Sequence, residues 1–203
     1  MLILCSNGLS SKQLLSSIVP FVDKGGTSAL VVTADNQYKD KNYHVPRCME
    51  ELQSLGLTVD LFDIDISPVE QLLSYDVVEF IGGNPFYLLD SIHRHNATDT
   101  LQEIATKKIL IGWSASAFVF GPSLELVNQY SPDMNFVGLS DLKALSLTPI
   151  CVLPHYNRFL DRYDQFEDKC REYEISHDTV VIRLNDGDGL LLQGDQRTVI
   201  RAQ

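Results

Sequence analysis

With 203 residues, 44% of them hydrophobic and 21% charged, the chain is long enough to bury one sizeable core and has the composition of a globular protein. A formal net charge of −11 argues against nucleic acid as a partner, because phosphate recognition needs a basic face. No stretch approaches the roughly 18 apolar residues of a membrane span, and MLILCSNG lacks the basic start of a signal peptide, so no membrane partner and a cytoplasmic location are expected.

The chain alternates short β-rich runs with longer amphipathic stretches. Strands are predicted at LILCS (2–6), SALVVTA (28–34), TVDLFDI (58–64), VVEFI (77–81) and KILIG (108–112). The helix-like RCMEELQSLG precedes the third run, with Gly56 suited to its C-cap. Apolar runs spaced by helices are the pattern of a parallel sheet covered on both faces, so residues 1–203 read as a single doubly wound α/β domain. Further on, LTPICVLPHY (147–156) reads as a strand ending at Pro154-His155, followed by a charged helix over about 161–174. TVVIRL (179–184), the turn NDGDG (185–189), LLLQG (190–194) and RTVIRA (197–202) read as a small antiparallel set at one edge. Cys5, Cys48, Cys151 and Cys170 form no CxxC pair and show no metal-ligand spacing, which points to reduced thiols.

In an open parallel sheet, ligands gather outside the carboxyl ends of the strands. Three features fall there. Gly112-Trp113-Ser114-Ala115-Ser116 nearly matches the strand–helix nucleophile elbow G-x-S-x-G, with Ser116 where glycine is usual. Ser114 is then a nucleophile at a helix start whose free N–H groups can stabilise an oxyanion; the alternative is a plain N-cap. IGGNPF (81–86) offers a glycine turn with unobstructed N–H groups, an oxyanion hole or carboxylate nest, or simply a turn, with Pro85 opening a helix. A serine hydroxyl needs a base, and of the five histidines only His155 directly follows an apolar strand-like run; His44 lies in a polar loop. An acid must orient that histidine: Asp186 in RLNDGDG is the first choice, Asp133 and Asp188 the alternatives.

IGGNPFYLL, GWSASA, LPHY and LNDGDG, in that order along the chain, resemble the motifs of the dipeptidase E (aspartyl dipeptidase) family and its relative cyanophycinase. The resemblance runs from LILCSNGLS to about the last hairpin. It implies a fold like that of the class I glutamine amidotransferases and a serine peptidase acting on small peptides, without metal or organic cofactor. By position it makes Ser114 the nucleophile, His155 the base and Asp186 the acid, in place of a family glutamate. Gly83 and Ala115 become the backbone oxyanion donors, and Asp133, near another acidic position of the family, the second choice of acid. The family's best-known members select an N-terminal aspartate with cations in the pocket; Lys169 and Arg171 are considered for that charge, against the plainer reading of solvated helix residues. The chain departs from the family at Ser116, at Pro85 for a threonine, at a GGN run short of one glycine, and at the shorter acid. The altered elbow and the shorter acid motivate a rival reading, a catalytically silent protein that binds an acidic or amino-acid ligand. A hydrolase of β-linked aspartyl polymers and a flavodoxin-like nucleotide binder are further alternatives, the latter needing a better phosphate loop than SNGLSS.

Overall fold

Along β1 (Leu2–Cys5) successive side chains go to opposite faces of the sheet, Leu2 and Leu4 into one apolar cluster and Ile3 and Cys5 into the other. All four are buried, so this strand is central. The computed structural model describes residues 1–203. Its seven-stranded main sheet includes β1, β2 (Thr27–Val31), β3 (Thr58–Phe62), β4 (Val77–Phe80) and β5 (Ile109–Trp113), parallel to one another in the order β3-β2-β4-β5-β1. α1 (Lys12–Ile18) and α2 (Val45–Ser54) cover one face; α2 buries Val45, Cys48 and Leu52, a helical stripe, and ends ahead of Gly56 as expected. The opposite face carries α3 (Pro85–Arg94), α4 (Thr98–Lys107), α5 (Ala115–Phe120) and α6 (Glu125–Tyr130) over the larger apolar cluster. All six residues of α5 are buried, because it is wedged between the sheet and the outer helices. No helix is long and apolar enough to cross a membrane.

The last third corrects the expected boundaries. The strand expected over 147–156 shrinks to β6 (Cys151–Leu153), since Thr148 Oγ1 accepts the Ile150 N–H in a turn and Pro149 has no N–H to offer. The charged helix expected over about 161–174 starts later, as α8 (Phe166–Ser176) with Gln165 in a left-handed conformation at its N-cap, and a separate short helix, α7 (Tyr156–Phe159), precedes it. β7 (Val181–Arg183) does not join an antiparallel set; it pairs in parallel with β6 in a separate two-stranded sheet. NDGDG is therefore a crossing between sheets. The hairpin is β8 (Gly189–Gln193) and β9 (Gln196–Ile200), turning at Gly194-Asp195, and β8 adds antiparallel to β1.

Candidate active site

The chain leaves β2 towards one side of the sheet and β4 towards the other, the switch point at which an open α/β sheet forms its binding crevice. A cavity of about 770 Å³ lies there. Its walls include Ala34 and Asp35 after β2, Gly82 and Gly83 after β4, Ser114 after β5, and His155.

Ser114 has φ 53° and ψ −113°, a conformation that side-chain-bearing residues rarely adopt and that costs on the order of 1–3 kcal/mol. The turn between β5 and α5 is that tight. A Cβ on Gly112 would stand 2.5 Å from the Phe120 ring, so the first small residue of the elbow is sterically required. Ser116 is fully buried with its hydroxyl turned away from the cavity: it accepts the Trp113 N–H at 2.8 Å and lies 2.9 Å from the carbonyl oxygens of Phe80 and Trp113, where it can donate. The hydroxyl that replaces the usual glycine hydrogen thus ties the elbow to the end of β4. Ser114 is not an N-cap by hydrogen bond: its side chain accepts nothing from α5.

The loop after β4 packs against this elbow. A Cβ on Gly82 would lie 2.9 Å from that of Ser114. Gly83, at φ 155°, has no room for a side chain because the Ala34 carbonyl occupies the space. The neighbouring Asn84 donates its N–H to that carbonyl and caps α3, accepting the Phe86 and Tyr87 N–H groups. The N–H groups of Gly83 and Ala115 have no protein acceptor.

His155 follows β6 in a left-handed conformation, φ 56° and ψ 26°, and its side chain is only 11% exposed. Its backbone N–H donates to Ser6 Oγ at 2.8 Å, and Nδ1 stands 2.6 Å from Asp186 Oδ1. Ser6 Oγ donates to the same carboxylate oxygen at 3.0 Å, so one hydroxyl locks both residues to the end of β1. Asp186 is further held by the Asn157 side chain, which accepts its N–H, and by Arg158 Nη1 at 3.3 Å. Burial pushes the Asp186 carboxyl up, but the His155 hydrogen bond and charge, the Ser6 hydroxyl and Arg158 together outweigh it and hold the carboxyl below its usual range. With Nδ1–H committed to Asp186, Nε2 is the nitrogen left for a substrate or a hydroxyl; no Ser114–His155 hydrogen bond is formed, and such contacts commonly close only when substrate binds.

The other acids stand elsewhere. Asp133 is exposed on the turn Pro132–Met134, and only its neighbour Met134 reaches the cavity. Asp188 is buried but spent on Arg201 at 2.6 Å and on the Asn185 and Ala202 N–H groups. Lys169 and Arg171 lie on α8 away from the cavity, Arg171 paired with Glu167. The cations that do line it are Arg47 and Arg158, joined by His44. His44, expected in a polar loop, meets the Trp113 ring edge-on at 5.2 Å; burial, then Arg47, His155 and Arg158, lowers its pKa. Neither Ser6 nor Arg47 carried a local signal beyond its place after a strand or on an amphipathic helix. Cys48, Glu51 and Glu79, beneath the cavity, are the one set of side chains spaced to hold a metal ion.

The chain matches the model of peptidase family S51 over residues 2–200. It belongs to that family. An uncharacterized peptidase of Listeria monocytogenes is 29% identical over 172 residues, covering 79% of this chain and 83% of that one. A peptidase E of Shewanella baltica OS185 is 25% identical over 211 residues, with all of this chain and 87% of the relative aligned. A crystal structure of a candidate peptidase E from Listeria monocytogenes EGD-e superimposes with a TM-score of 0.78 at 25% identity, covering 100% of this chain and 98% of that one. A peptidase from an acI-B1 actinobacterium shares the fold with a TM-score of 0.68 at 17% identity over 99% and 93% of the two chains. The S51 fold is the mostly parallel, class I glutamine amidotransferase-like sheet described above.

Proposed function

We propose that this S51 peptidase hydrolyses small peptides by a serine mechanism through an acyl-enzyme. One observation carries the reading: the strained Ser114, its hydroxyl free of backbone caps, opens onto the same cavity as an imidazole whose far nitrogen is 2.6 Å from a carboxylate. Ser114 Oγ attacks the scissile carbonyl carbon as its proton passes to His155 Nε2, and Asp186 stabilises the resulting imidazolium. The Gly83 and Ala115 amides hold the oxyanion; their lack of protein acceptors supports this assignment. When the intermediate collapses, the C–N bond breaks and the proton moves from His155 to the departing amine. Water then attacks the acyl-serine by the same route, restoring the free hydroxyl.

A cavity of about 770 Å³ is of a size to take a short peptide. Arg47 and Arg158 favour an acidic residue next to the scissile bond, against the net charge of the chain as a whole. The departures that motivated a silent binding protein have structural answers: Ser116 is internally bonded, and the shorter Asp186 still reaches His155. The test is a dipeptide panel, Asp-Xaa beside neutral and basic N-termini, with wild type and Ser114→Ala. Wild type is expected to cleave the acidic substrates, and Ser114→Ala to lose roughly 10⁴-fold or more in turnover. Cleavage by Ser114→Ala at the parental rate would refute the mechanism, and ligand binding without turnover by the wild type would favour the binder.

A further inference from the structure

Glu79 projects from the middle of the sheet into the apolar layer beneath α2, level with Leu30 on β2 and Ile111 on β5. It is completely buried, and neither carboxylate oxygen meets a donor in hydrogen-bond geometry; the nearest one, the Trp113 indole N–H, is itself without a well-aligned acceptor and eases the buried charge only a little. A carboxylate so placed is costly unless it is paired or coordinated. The side chains around it are not what a sheet would recruit to bury an acid. From α2 come Cys48 and Glu51, and the Cys48 sulfur and one oxygen each of Glu51 and Glu79 all lie within 4.8 Å of one another.

We propose that Cys48, Glu51 and Glu79 form a binding site for one divalent transition-metal ion of the zinc type. The donor set is one thiol and two carboxylates, which suits a borderline ion such as Zn²⁺ and disfavours Mg²⁺ and Ca²⁺, which take oxygen alone. Charge supports the same conclusion. Thiolate and two carboxylates carry three negative charges, Arg47 on Glu51 supplies one positive, and a divalent ion cancels the remaining two. The second ligand is already oriented, since Glu51 Oε1 is held by Arg47 at 2.8 Å and Oε2 accepts the Leu9 N–H. Arg47 also lines the active-site cavity, so the ion's entry lies past a side chain that is one-third exposed. Binding releases the Cys48 thiol proton and the Glu79 carboxyl proton, because burial and neighbouring acids keep both protonated in the metal-free protein. The titratable groups facing the site are Cys48, Glu51 and Arg47 from α2, Glu79 from β4 and Cys5 from β1, whose thiol is likewise pushed up. The site uses none of Ser114, His155 and Asp186.

The test is titration of chelator-treated full-length protein with Zn²⁺ and with Cd²⁺, reading stoichiometry by calorimetry and the thiolate-to-cadmium charge-transfer band. One equivalent is expected, with affinity falling as pH is lowered. Cys48→Ser and the isosteric Glu79→Gln should each weaken binding by more than about 100-fold, the upper figure for losing even an outer-shell partner. Cys170→Ser, on the other side of the sheet, and Ser114→Ala should bind as the parent does, so failure here is distinct from failure of the serine mechanism. Circular dichroism establishes that each variant is folded, and Glu51→Gln stands in for any that is not. No uptake by the wild type, or uptake that survives both Cys48→Ser and Glu79→Gln, overturns the proposal.

Discussion

Two carboxylates near the ends of two strands have opposite fates. Asp186 sits at the rim, with His155, Ser6 and Arg158 supplying donors, and its proton affinity falls; Glu79 sits deeper, where the Trp113 indole and Arg47 offset only a little of the burial, and its pKa climbs to about 8. Burial raises both. What separates them is whether the fold brings hydrogen-bond donors to the charge, since desolvation alone always favours the neutral acid. The rim is therefore built to keep an anion beside an imidazole. The deeper pocket holds a proton until something else takes its place.

The largest effect that would break this contrast is at the rim. Asp186→Asn keeps the shape but removes the charge that, on the proposed serine mechanism, stabilises an imidazolium, and kcat is expected to fall by about 10³–10⁴-fold; steady-state rates on the best dipeptide measure it, and near-parental activity would remove Asp186 from that mechanism.

Next comes the pH dependence of stability in metal-free protein, where the two acids should show opposite signs. Folded Glu79 keeps its proton from its ordinary value of 4.5 up to about 8, whereas the unfolded chain has released it, so stability falls as pH rises through that window. Folded Asp186 gives up its proton more readily than the unfolded chain does, so its contribution is present above its ordinary value of 3.8 and is lost as pH falls through the lower folded value. Glu79→Gln should accordingly flatten the decline between pH 5 and 8, gaining on the order of a few kcal/mol at the alkaline end. Urea unfolding across that range, with chelator present, reads the difference; identical slopes for parent and variant would mean that Glu79 titrates normally.

The smallest effect sharpens the account of the elbow. Ser116→Ala leaves the Trp113 N–H without its acceptor and should cost about 1–3 kcal/mol in stability. Thermal or urea denaturation checks it, and an unchanged midpoint would show that the hydroxyl is a tolerated passenger rather than a brace.

Much of this was legible beforehand because it is local. Five parallel strands announced themselves as apolar runs, and Gly112-Trp113-Ser114 carried its own steric logic, since a turn that tight demands a small residue two before the serine. His155 stood out by following a strand. The terminal third misled because TVVIRL can pair equally well in either sheet by pattern, and only the crossing at Asp186–Asp188 decides between them. Ser6 was invisible because its partners His155 and Asp186 lie far along the chain, and Arg47 because the cavity it lines is assembled from segments remote in sequence.

From the residues alone came the fold class, the elbow, the histidine and a short choice of acids, because each depends on periodicity or on steric demands within a few residues. Tertiary structure alone set Asp186, already the first choice, and neither Asp133 nor Asp188 against His155, put Arg47 and Arg158 rather than Lys169 and Arg171 at the cavity, and brought Cys48, Glu51 and Glu79 within reach of one another. Those outcomes turn on distances between residues remote in the chain, and no local pattern encodes a distance across a sheet.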